Sequence, residues 1–211
     1  VISVKEKIVL VAERLFAEHG LDGVSLRQIS AAAGNGNNTA VQYHFGSKQR
    51  LVQAIFEHRL PALSERRRVL VARKRPDDLR SWLECQILPV LEQGEQEGSN
   101  YLSFVTMLQQ HVRRDVFDRL PEELKQSTDV FLERVGDLLP HLPEPLRRHR
   151  TSQALAFSMH AASAREQARA RGERVPPFAL HVEDLLDGLS GFLQAPASPA
   201  ALASLTEKGT A

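Results

Sequence analysis

Residues 35–48, NGNNTAVQYHFGSK, crowd Asn38, Thr39, Gln42, Tyr43, His44 and Lys48 around two apolar side chains, Val41 and Phe45. A Gln amide can pair in two-pronged fashion with adenine, and a Thr methyl can touch the methyl of thymine. Tyr, His and Lys donate readily to phosphate oxygens. Lys48 also stands where a helix should begin, and the unpaired N–H groups of a helix start attract anions. This is the chemistry of recognition rather than of bond making. The chain has no His-Glu-x-x-His, no Gly-x-Ser-x-Gly and no phosphate loop. Its eight histidines are scattered, and the single Cys85 excludes an internal disulfide or a multi-cysteine metal site. No catalytic residue, metal or cofactor is assigned, and enzyme activity is not expected.

The elements that must hold these side chains are helices. Ile8, Val11, Ala12, Leu15 and Phe16 recur at three and four residues, which predicts an amphipathic helix over 4–19 that closes at His19-Gly20. Ser25 and Gln28 have capping-box spacing, so a second helix starts at Leu26 and Gly34 ends it. Asn37 or Asn38 can cap a short third helix, Thr39 to Phe45. At 100° per residue Val41 and Phe45 fall on one side of it and Thr39 and Tyr43 on the other. A helix this short is marginal in water without tertiary support. Its two apolar residues must therefore anchor it while the polar ones face outward, the arrangement of the reading helix in a helix-turn-helix. Ser47 caps a fourth helix from Lys48, which Pro61 should kink or interrupt.

Charge is divided along the chain. Residues 1–75 hold 13 Lys/Arg against 6 Asp/Glu, and residues 76–211 hold 14 against 20, giving +7 and −6. A basic front suggests a polyanionic partner, although six of those cations fall in 66–75, where they could form a solvated helix face. Arg27, early in the second helix, is placed to reach phosphates too. No apolar run approaches the roughly 20 residues of a membrane span, and no signal-peptide pattern opens the chain, so a cytoplasmic location is expected.

Residues 8–56 resemble the DNA-binding domain of the tetracycline-repressor (TetR) family of bacterial transcription regulators. The resemblance is carried by AERLFAEHGLDGVSLRQISAAAG, then YHF-GSK, then LVQAIF. It covers about a quarter of the chain. It implies that Arg27, Asn38, Thr39, Gln42, Tyr43, His44 and Lys48 face double-stranded DNA. Two departures stand out: the turn before the third helix is one residue longer than usual, and Gln42 replaces the common first Tyr.

Beyond Pro76, helices are expected over about 77–93, 99–117, 121–139, 144–171 and 178–194, followed by a loose tail. The fold class is therefore all-α: a helix-turn-helix domain over 1–56, a larger helical domain over 57–194, which the resemblance implies is the effector-binding and dimerisation domain, and a flexible tail over 195–211. Small residues at Ala161, Ala164 and Ala168 and the apolar stripe Val182, Leu185, Leu189 and Phe192 suit a two-fold four-helix interface, and the resemblance implies the same homodimer. The competing reading packs both stripes within one chain. Trp82, Gln86, Phe104, Met107, Leu108, Thr128 and Phe131 are candidates to line an effector cavity, against the alternative that they simply fill a core. The expected function is a homodimeric, sequence-specific regulator, a repressor that binds an inverted-repeat operator and is released by a small-molecule effector. The alternative is a helical small-molecule-binding protein without specific DNA binding.

Overall fold

A computed structural model of the chain describes residues 3–34, 40–110 and 122–206. Every regular element among them is helical: α1 (Val4–His19), α2 (Leu26–Ala32), α3 (Ala40–Phe45), α4 (Lys48–Lys74), α5 (Leu79–Gly94), α6 (Tyr101–Gln110), α7 (Glu122–Leu138), α8 (Glu144–Ala170), α9 (Phe178–Gln194) and α10 (Pro199–Thr206). Side-chain caps fix several starts. Ser3 Oγ accepts from Glu6 N–H at 3.1 Å, and Asp78 Oδ1 accepts from Ser81 N–H at 2.7 Å.

Two expectations change. Pro61 does not interrupt α4, which runs through it over 27 residues. The missing N–H removes one intrahelical bond, and packing of Leu51, Ile55, Phe56, Leu63 and Leu70 into the core holds the helix together across the gap. The boundary expected at 56/57 therefore falls inside one helix. Within the expected tail, 195–211, Pro199–Thr206 is helical, with Ser198 Oγ accepting from Ala201 N–H at 3.2 Å to start it; 207–211 lie outside the described residues. The expected helix over 99–117 is observed as Tyr101–Gln110, its remainder lying outside the described residues.

α1 packs on α4 and α6, and α6 packs in turn on α8. An aromatic cluster joins the first three: the Phe104 ring lies 6.3 Å from Phe16 and 5.7 Å from Phe56, and Phe56 meets Tyr101 edge-on at 6.2 Å. Beside it sits a buried polar seam. Arg59 donates to both carboxylate oxygens of Glu13 at 2.7 and 2.8 Å, and Asn100 N–H reaches Glu13 at 3.3 Å. On α8, Glu166 accepts from Ser103 N–H at 2.8 Å, Ser103 Oγ at 2.7 Å, Ser99 Oγ at 2.9 Å and Leu102 N–H at 3.4 Å. Gly94 lets α5, α6 and α8 meet there: a Cβ would stand 2.7 Å from Leu102 Cδ1.

Candidate nucleic-acid interface

The helix-turn-helix is assembled from local bonds. Ser25 N–H donates to Gln28 Oε1 at 2.7 Å while Gln28 N–H donates to Ser25 Oγ at 3.2 Å, closing the capping box that starts α2. Val24 and Ile29 are buried on either side of it. Gly34 takes φ 69°, the left-handed turn that leaves α2. Residues 35–39 lie outside the described residues, and with them the expected contacts Asn38 and Thr39.

In α3 the division of faces follows the helical period. Val41 and Phe45 are buried, and Gln42, Tyr43 and His44 are exposed, Tyr43 at 85%. The Tyr43 and His44 rings meet edge-on at 5.2 Å, so they form one raised aromatic-polar surface. Gly46 turns the chain at φ 71°, and Ser47 Oγ accepts from Arg50 N–H at 3.2 Å to begin α4. Arg27 is exposed in the first turn of α2.

Lys48 is placed differently from a free surface cation. It is half-buried, and its Nζ donates to the Leu21 carbonyl oxygen at 2.7 Å. The ammonium thereby ties the loop after α1 to the start of α4. Two further cations, missed by the sequence reading, border α3. Lys5 and Arg50, both exposed, line a cleft of about 410 Å³ together with Gln42, Tyr43 and His44. Their signal was available only as the basic excess of the N-terminal third, because residues 37 and 8 positions from Gln42 share no local motif with it.

The remaining candidates fall into two places. Trp82, Gln86 and Phe131 line a cavity of about 510 Å³ between α4, α5 and α7. The Gln86 side-chain amide donates to Thr128 Oγ1 at 3.4 Å. Phe104, Met107 and Leu108 are buried on α6, where Phe104 belongs to the aromatic cluster with Phe16 and Phe56. On the α8–α9 surface, Val182, Leu185 and Leu189 are buried within the chain itself, Ala161 and Ala168 are partly buried, and Ala164 and Phe192 are exposed. Phe157 and Leu180, which the sequence reading did not single out, stand 59% and 58% exposed there. No group of three or more His, Cys, Asp or Glu among the described residues could hold a metal. None of the described helices is long and apolar enough to cross a membrane.

Residues 8–55 match the model of the tetR family of bacterial regulatory proteins. Over this span the N-terminal unit is similar to the TetR family. TetR-family regulators are DNA-binding transcription regulators, and the matched span contains α2, α3 and the start of α4. Solved structures resemble the chain over nearly its whole length. A Mesorhizobium loti MAFF303099 protein assigned to TetR-family transcriptional regulators is 16% identical, with 90% of this chain and 95% of that one covered at a TM-score of 0.54. The fatty acid degradation regulator FadR from Bacillus halodurans is 14% identical, with 88% and 93% covered at 0.56. A superantigen named pfit is 18% identical, with 93% and 90% covered at 0.51, so the likeness beyond the N-terminal unit is one of fold. No curated protein sequence matches the chain.

Proposed function

We propose that the chain is a cytoplasmic, homodimeric, sequence-specific transcription regulator of the TetR type, a repressor released from an inverted-repeat operator by a small-molecule effector. The observation that carries this reading is α3: a six-residue helix anchored by Val41 and Phe45 that turns Gln42, Tyr43 and His44 outward inside a span matching the family. Lys5, Arg27 and Arg50 border or flank it as phosphate-binding cations, while Gln42 reads base edges. Lys48 contributes by fixing the start of α4.

Dimerisation is supported by the exposed Phe157 and Phe192, which line one cleft between α8 and α9. Apolar side chains clustered on one face favour burial against a partner, and a two-fold pairing would present two reading helices to two half-sites. The division into a DNA-binding unit and an effector-binding, dimerising unit belongs to this proposal, with α4 shared between them. The cavity beside Trp82 is the effector site.

The test is selection of bound duplexes from a random pool by the purified chain at near-physiological salt. An enriched inverted repeat is the expected result. Binding without enrichment would favour the alternative, a helical small-molecule-binding protein whose basic front holds DNA without reading it.

A further inference from the structure

The cavity between α4, α5 and α7 has one polar end and one apolar end, and both are set by the register of α4. Ser64, Arg67 and Val71 line it at i, i+3 and i+7, so they form one stripe along the helix. Opposite them stand Trp82, Cys85 and Phe131. Ser64 Oγ is buried with no hydrogen-bond partner among the described residues. Arg67 Nε donates to the Gln86 carbonyl oxygen at 3.1 Å, which fixes the plane of the guanidinium where it lines the cavity. Burial pushes the Arg67 pKa down, a sign that its charge is poorly solvated. The other charged lining residues, Glu65 and Arg68, pair with each other at 2.7 Å and are exposed at the rim. Arg67 brings a guanidinium to the lining beside Ser64.

We infer that the effector is a carboxylic acid with an apolar body, its carboxylate held by the Ser64 hydroxyl and the Arg67 guanidinium and its body lying against Val71, Trp82, Cys85 and Phe131. The inference rests on the effector reading proposed above. It requires only that the Arg67 charge be felt in the cavity it lines. A carboxylate answers both polar groups at once, since it accepts from a hydroxyl and from a guanidinium. An amide of the same shape accepts with one oxygen and brings no charge. A cavity of about 510 Å³ is of the size that encloses small organic ligands.

Trp82 is the only tryptophan in the chain, and it lines this cavity and the adjoining cleft beside Arg75 and Arg134, so its fluorescence reports on ligands bound there. The experiment titrates the full chain with decanoate and with 4-phenylbutyrate, each against its own amide, and follows Trp82 emission. At least one acid should bind saturably and about tenfold or more tighter than its amide, the scale expected of hydrogen bonds to a charged group. Ser64→Ala should narrow that preference and Arg67→Met should abolish it. The comparison of acid with amide in the unaltered chain stands even where Arg67→Met does not fold. Equal binding of acids and amides, or no Trp82 response to any of the four, overturns the inference. Duplex binding is scored separately on the same preparation. Acid-selective binding by a chain that binds no duplex would leave this inference standing and sink the regulator reading; duplex binding with no acid preference would do the reverse.

Discussion

Glu13 of α1 and Glu166 of α8 grip the start of the same helix: Asn100 N–H donates to Glu13 at 3.3 Å, and Ser103 N–H donates to Glu166 at 2.8 Å. Both carboxylates are buried, at 1% and 4% exposure. Helix starts carry unsatisfied donors and a partial positive charge, which two anions answer well. The consequence is mechanical. The helix that opens the TetR-type unit and the helix bearing the exposed Phe157 are bonded to one turn of α6.

Removing the α8 half of this grip should be costly. Glu166→Ala leaves the Ser99 and Ser103 hydroxyls and two backbone N–H groups without their acceptor, and the expected loss is about 2–4 kcal/mol. Glu166→Gln, which keeps the shape and one acceptor, should lose less. Urea unfolding measures both; an alanine cost below about 1 kcal/mol would mean that water replaces the carboxylate freely.

Three substitutions at the reading unit should behave differently. Gln42→Ala should relax base preference at one position of each half-site by about 1–3 kcal/mol. Arg50→Ala should weaken all duplexes alike and reduce the salt slope by about one. Lys48→Met should lower folding stability by about 1 kcal/mol, because its ammonium bonds the Leu21 carbonyl. Binding isotherms at several salt concentrations, paired with thermal unfolding, separate the three. Indistinguishable binding defects at Gln42 and Arg50 would remove Gln42 from base reading.

On the α8–α9 surface, Phe157→Glu should produce monomers and weaken operator binding by tenfold or more, as two linked half-sites become one. Phe157 is exposed in the single chain, so its charge costs little folding stability there. Sedimentation reads the assembly state. A stable dimer with Glu at 157 would place the interface elsewhere.

Two groups, the buried Tyr101 and the half-buried His181, should make stability depend on pH. Burial raises the Tyr101 hydroxyl well above the ordinary tyrosine value of about 10. Above that pH the unfolded chain gives up a proton that the folded chain retains, so stability should fall as pH rises, and Tyr101→Phe should flatten the decline. His181 is the opposite case. Burial first, then the charge of Arg165, pushes its imidazole below the usual value of about 6.5, and its Nε2 is buried without a partner among the described residues. Its contribution is present above pH 6.5 and is lost as pH falls toward the lowered value, so His181→Leu should blunt acid destabilisation. Unfolding midpoints across pH 5–11 check both signs; unchanged slopes in the two variants would count against them.

What could be read from the sequence was what the chain settles within a few residues. Ser25 and Gln28 cap α2 from three positions apart, and the alternation of Val41 and Phe45 with Gln42, Tyr43 and His44 needs only the helical period. The bonds that join helices were not legible. Arg59 finds Glu13 across 46 positions and Ser99 finds Glu166 across 67, and no local pattern marks either partner. The bond from Lys48 to the Leu21 carbonyl, 27 positions away, has no local mark in the sequence either. The continuation of α4 through Pro61 was not legible for a related reason: the proline's local cost is fixed by the residue, but the packing of Leu63 and Leu70 that offsets it comes from the fold.

Pro61 lies at the midpoint of α4, thirteen residues from Lys48 and thirteen from Lys74. A helix of this length spans about 40 Å, so each half is an arm of about 20 Å. Flexing the joint by roughly 10° would sweep the far end of an arm through about 3.5 Å, close to the 3.4 Å rise between neighbouring bases on a DNA strand. Pro61 also lines the cavity beside Trp82. A ligand in that space would touch α4 where one intrahelical bond is missing, and on the regulator reading one base step of displacement at the tip would put a reading helix out of phase.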